Sequence, residues 1–128
     1  MARYRLSLTL LAVAFASISL PLLAYPPAET WIAWVSDQAC GAKHSEPGHA
    51  DCIRKCIRGG AAVGHPEWKP QPLVLVKESD RSVWIIDNPS RLSGLEGQRV
   101  RADVEIDASK KAVHVKRAAG ASQKEPLK

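Results

Sequence analysis

Gln98-Arg99-Val100-Arg101-Ala102-Asp103-Val104-Glu105-Ile106-Asp107, followed by Ala108-Ser109-Lys110-Lys111-Ala112-Val113-His114-Val115-Lys116, is the stretch on which the fold turns. Val100, Ala102, Val104 and Ile106 recur at every second position, and Arg99, Arg101, Asp103, Glu105 and Asp107 fill the places between them. Side chains alternate across a strand, so this period of two predicts one buried and one wet face. Asp107-Ala108-Ser109-Lys110 reads as a turn, after which Val113 and Val115 continue the inward face with His114 and Lys116 outward. Two strands alone make a marginal sheet, so the rest of the chain must supply partners for this hairpin.

Those partners are legible upstream. Residues 73–77 and 82–86 are short apolar runs joined by Glu78-Ser79-Asp80-Arg81, which predicts a second hairpin. Asn88-Pro89 breaks its second strand, and residues 90–95 predict a single helical turn before Gly97. Residues 30–36 (Thr-Trp-Ile-Ala-Trp-Val-Ser), β-branched and aromatic, predict the first strand. Between the first and second strands lie a loop over 37–48, a two-turn helix over 50–58 stopped by Gly59-Gly60, and a loop through Gly64, Pro66, Pro70 and Pro72. The expected fold is therefore mainly β: a small five-stranded OB-like barrel, or a plain antiparallel sheet, with a short cysteine-bearing helix between strands 1 and 2. Closure is preferred because a short sheet needs protected edges. The domain is expected to span residues 25–117, with its Cys/His element at 37–60 and a flexible polar tail over 118–128.

The chain has 128 residues, 18 Lys and Arg against 13 Asp and Glu, and 45% hydrophobic residues, which suits one globular domain and excludes wholesale disorder. Arg3 and Arg5 precede an apolar run over 6–23, and Ala24 offers a small residue before Tyr25-Pro26-Pro27. This order predicts a signal peptide over residues 1–24. The run approaches the roughly 20 residues that span a bilayer, so a retained anchor is the other reading. Both place the folded part in the periplasm or outside the cell, with membrane contact only through this segment. Without it 104 residues remain, carrying 16 basic and 13 acidic side chains, a net charge of +3. That is too weak an excess to argue for nucleic acid.

All three cysteines lie between positions 40 and 56, spaced Cys40-x3-His44-x4-His49-x2-Cys52-x3-Cys56. A helix puts Cys52 and Cys56 on one face at i and i+4, and the preceding loop can fold Cys40 and His44 over it. Three thiolates and an imidazole suit tetrahedral zinc, and soft sulfur suits copper equally. The expected metal set is Cys40, His44, Cys52 and Cys56, with His49 in reserve, and the role of the ion is either structural or cargo. The competing reading is a disulfide from Cys40 to Cys52 or Cys56, worth about 3 kcal/mol in the chain-entropy model and leaving one free thiol. Such a stapled domain would serve as an interaction module. Thiol redox chemistry is a third possibility, though no C-x-x-C pair is present.

Ser36-Asp37-Gln38-Ala39-Cys40-Gly41-Ala42-Lys43-His44, followed by Asp51-Cys52-Ile53-Arg54-Lys55-Cys56-Ile57-Arg58-Gly59-Gly60, resembles a group of small exported bacterial proteins. These carry a D-x-x-C-G-x-x-H … C-x-x-x-C element ahead of an OB-like run of strands. Val83-Trp84-Ile85-Ile86-Asp87-Asn88-Pro89, Gly97-Gln98-Arg99-Val100 and Val113-His114-Val115 extend the likeness across nearly all of the mature region. The resemblance implies that Cys40, His44, Cys52 and Cys56 form a unit, and it implies no activity. The chain departs from the group in the loop His65-Pro66-Glu67-Trp68-Lys69-Pro70-Gln71-Pro72.

Trp31 and Trp34 fall on opposite faces of the first strand, so at most one is expected in the core. Trp34 and Trp68 are the candidate ligand-surface residues. The chain carries no G-x-S-x-G, H-E-x-x-H or Gly-rich phosphate loop. It is expected not to be an enzyme but a monomeric binding protein, whose partner is a protein or an envelope ligand.

Overall fold

The alternating segment near the C-terminus forms β4 (Arg99–Asp107) and β5 (Ala112–Gly120), paired antiparallel. Val100, Ala102, Val104, Val113 and Val115 are buried, as the alternation requires. β5 continues three residues past Arg117, where the pattern stops. The cause is a bulge: Asp103 faces Arg117 and Val104 faces Val115, so Lys116 has no partner in register. An extra residue reverses the alternation beyond it. Lys116 and Arg117 are consequently both exposed, while Ala118 turns back against the core. The ladder thus takes up residues 118–120, which were expected to begin the tail.

The computed structural model describes residues 25–122 together with Lys124 and Pro126; the signal peptide expected over 1–24 lies outside the described residues. Along the described chain, β1 (Ala28–Asp37) is followed by the helix α1 (Ala50–Arg58), then β2 (Leu73–Lys77) and β3 (Val83–Ile86), ahead of β4 and β5. β1 is long enough to pair with β4 through its first part and with β2 through its second, both antiparallel. β3 then meets β5 in parallel through Ile85 with Ala112 and Ile86 with Val113. The five strands close into a ring in the order β1-β2-β3-β5-β4. The mixed, closed sheet replaces the open antiparallel alternative, because the parallel β3–β5 contact occupies both remaining edges.

Inside the ring sit Trp31, Val35, Leu75, Val100, Val104 and Val115, and Ile53 of α1 and Leu92 of a 3-10 turn (Pro89–Leu92) join the same core. Trp31 meets Trp84 with ring centroids 5.5 Å apart. A second small cluster lies on the other face of the sheet: Trp34, Val74 and Val76, covered by Ala42 and Val83. Both tryptophans of β1 are therefore buried, at 2% and 8% exposure, because the chain after β1 folds over the outer face. Trp34 is withdrawn from the surface at which a ligand was expected.

Arg99, read from its position as an outward residue of a solvated hairpin, is also buried. Its guanidinium donates from Nε and Nη2 to the two carboxylate oxygens of Glu78 at 2.6 and 2.8 Å, and the Trp34 indole donates to the same carboxylate at 3.0 Å. The Arg99 hydrogen bonds hold the Glu78 carboxyl below its ordinary value of 4.5. A carboxylate depressed in this way contributes stability that is present above its unfolded pKa and is lost as pH falls through the folded one. Glu78→Gln is expected to lower stability by about 2 kcal/mol at pH 7. It should also flatten the acid side of the stability curve below pH 4.5. Urea unfolding across pH 3 to 7 checks both; parallel acid limbs for the two proteins would refute the assignment.

Candidate metal centre

The last residue of β1 is Asp37, a charged side chain with no exposed surface. Burial of a carboxylate is costly unless it is hydrogen-bonded, and here both oxygens are used. Oδ1 accepts the Cys40 amide at 3.0 Å, and Oδ2 lies 3.1 Å from His44 Nδ1. The first bond turns the chain back immediately after the strand. Ser36 Oγ donates to the Gly41 carbonyl at 2.7 Å, and Gly41 takes a positive φ of 49°. Without a side chain Gly41 adopts that conformation at little cost and fits under Val83. A 3-10 turn over Gly41–His44 follows and lays the imidazole, 9% exposed, over the Asp37 carboxylate.

The result is a group of three unlike donors. One donor atom each from Asp37, Cys40 and His44 lies within 4.8 Å of the other two, so this partly buried group can hold a metal ion. Oxygen, sulfur and nitrogen together match the ligands zinc takes, and the thiol and imidazole match copper.

α1 approaches the same place. Ile53 is its fully buried anchor, which keeps one face of the helix against the ring. His49, immediately before the helix, stacks on His44 with centroids 4.6 Å apart and planes 15° apart, while its Nε2 lies 3.3 Å from Glu46 Oε1. Cys52 is exposed and Cys56 half-buried, and all three cysteines are free thiols. Of the four residues in the expected set, Cys40 and His44 come together with Asp37. Cys52 lies near enough for its charge to act on Cys40, and Cys52 and Cys40 act on Cys56, but the sulfurs of Cys52 and Cys56 stand outside the compact trio.

The thiols of Cys40 and Cys56 are both shifted upward. Burial, then the charges of Asp37 and Cys52, push the Cys40 thiol up, with Lys43 opposing. Burial, followed by Asp37, Cys52 and Cys40, pushes Cys56 up to about 11. Activated cysteines sit in electropositive surroundings that lower their pKa. At Cys40 and Cys56 burial and the neighbouring Asp37 charge act in the opposite direction.

Asp37, which heads the D-x-x-C-G-x-x-H element but reads as the start of a loop, is the site residue that the expected ligand set omits. The available signal was its position three residues before Cys40, the spacing at which a carboxylate caps a backbone amide. Trp68, the other candidate ligand residue, is 56% exposed and stacks on His65 at 4.1 Å. Comparison of the chain with protein-family models, with curated proteins and with solved structures finds no match.

Proposed function

We propose that this chain is an exported, non-enzymatic binding protein that holds zinc or copper at one end of an OB-type barrel. The barrel reading is supported by the ring order, with a single parallel pair between the third and fifth strands and a helical turn between the third and fourth. Export is supported by the Arg3, Arg5 and apolar segment alone. The metal reading rests on one observation: thiol, imidazole and buried carboxylate converge within 4.8 Å.

Cys40 and His44 are the first ligands, and Cys52 and Cys56 supply further thiolates from α1. Asp37 orients the His44 ring through Nδ1, as carboxylates do beside metal-bound histidines. A bound cation would offset the mutual repulsion of the anionic forms of these side chains. The main core of the ring is filled without any contribution from Cys40 or His44. The ion is therefore expected to be removable, as cargo is, rather than required for folding.

The test is native mass spectrometry and thiol counting on protein recovered from the exported fraction. One zinc or copper per chain, with three thiols counted in denaturant with chelator and the exposed Cys52 protected from reagent until chelator removes the ion, supports the reading. A metal-free chain with one thiol and a mass lower by two hydrogens would overturn it in favour of a disulfide-stapled interaction domain. Thermal melts supply a further check. Saturation at 100 times the Kd is expected to add about 2.7 kcal/mol of stability, and chelator should remove that increment while leaving a cooperative transition. Loss of cooperative unfolding in chelator would show that the ion is structural.

A further inference from the structure

Next to the cysteines, α1 and the loop over 60–71 border a cleft of about 510 Å³, and two of its lining residues, Cys52 and Cys56, belong also to the proposed metal site. That volume lies within the roughly 300 to 1,000 Å³ range of small-molecule sites. We infer that the cleft binds a small planar aromatic carboxylate, its ring against Trp68 and its anion between Lys55 and Lys69.

The wall is built rather than loose. Gly60 donates to the Trp68 carbonyl at 2.9 Å and accepts from the His65 amide at 2.7 Å, and the Trp68 amide donates to the His65 carbonyl at 2.9 Å. The Gln71 amide donates to the Cys56 carbonyl at 2.9 Å and ties the loop to the end of α1. The loop closes this tightly only because residue 60 lacks a side chain: a Cβ there would stand 1.6 Å from the His65 carbonyl oxygen. These bonds fix the loop backbone that carries Trp68 before any ligand arrives, which lowers the ordering cost of binding.

The lining then selects the ligand. Ala39, Val63 and Trp68 present apolar surface to the cleft. One face of the Trp68 ring is covered by His65, with planes 8° apart, and over half the residue stays accessible. Lys55 and Lys69 line the same cleft, and among the described residues no carboxylate does. Glu67, the neighbouring acid, is engaged 3.0 Å from His65 Nδ1. A flat apolar ring matches the tryptophan, and a single negative charge matches the lysine pair.

Titration of the full chain with 2-naphthoate, followed by amide NMR, tests the site. Saturable shifts are expected at Gly59, Gly60 and Gln71. Trp68→Ala should weaken binding about tenfold while Trp68→Phe retains it. The double variant Lys55→Gln/Lys69→Gln should weaken it by about tenfold and remove its salt dependence, and the neutral 2-naphthamide should bind the parent about tenfold more weakly. Equal affinity for naphthoate and naphthamide would overturn the assignment, as would shifts mapping elsewhere or an unaffected Trp68→Ala. So would an acidic dodecapeptide that competes at these amides more tightly than naphthoate, since the occupant would then be a protein segment.

Discussion

Asp37→Ala is expected to destabilise the protein by about 3 kcal/mol, a fall of ~15 °C in Tm, and to abolish metal binding. The magnitude follows from what the carboxylate does. It is fully buried, it accepts the Cys40 amide, and it contacts His44 Nδ1. Hydrogen bonds to a charged group contribute roughly 1.5 to 3 kcal/mol each, and truncation leaves both partners unsatisfied beside a cavity. Alanine alone cannot separate a folding role from a role in holding the ion. Asp37→Asn does. Its carbonyl oxygen still accepts the Cys40 amide, so the turn survives and the stability loss should stay below about 1 kcal/mol. Its NH2 group, however, can only donate to Nδ1. The imidazole proton then moves to Nε2, the nitrogen left for a ligand bond, and metal affinity is expected to fall 10- to 100-fold. Urea unfolding and a cobalt titration on the three proteins read the two effects separately. Unchanged metal affinity in Asp37→Asn would remove the carboxylate from the site.

The same residue shows where a sequence stops being legible. Period-two alternation located β4, and the bounds expected for β2 and α1 agree with those observed, because each is a local pattern. A charged residue at the end of a strand reads as loop, and only the fold reveals that Cys40 and His44 come back to neutralise its burial. Trp34 and Arg99 escaped for a related reason. Each was assigned to a wet face by alternation, which is correct as to face, but the segment after β1 covers one and Glu78 captures the other. The bulge at Lys116 hid the end of β5 by reversing the alternation on which the reading relied. The cysteines were legible as a cluster from spacing alone. That Cys40 and His44 form the tight part, with Cys52 and Cys56 set back on a helix, depends on how α1 docks and could not be read locally.

That docking rests on Gly97, and the second large effect is expected there. Gly97 has a φ of 73°, and its amide donates to the Val35 carbonyl at 2.9 Å, so it is fixed to β1. A Cβ at this position would stand 2.6 Å from the Ala50 Cα and 2.7 Å from the Ala50 nitrogen. Both are backbone atoms of the first residue of α1, so no rotamer change relieves the contact and the helix itself must move. Gly97→Ala therefore combines a left-handed backbone, costing about 1 to 2 kcal/mol, with overpacking of about 1 to 3 kcal/mol. Gly94 provides the internal control. Its φ is 83°, but nothing lies within 4 Å of the added Cβ, so Gly94→Ala carries only the backbone penalty. Unfolding in urea should place Gly97→Ala about 3 kcal/mol below the parent and Gly94→Ala about 1 kcal/mol below it. Displacing α1 also carries Cys52, Cys56 and His49 away from Cys40 and His44, so metal affinity should fall in Gly97→Ala and hold in Gly94→Ala. If the two alanines prove equally costly, the helix does not rest on this glycine. If Gly97→Ala loses stability yet binds metal as before, the ion is held by Cys40 and His44, with Asp37 behind them, without help from α1.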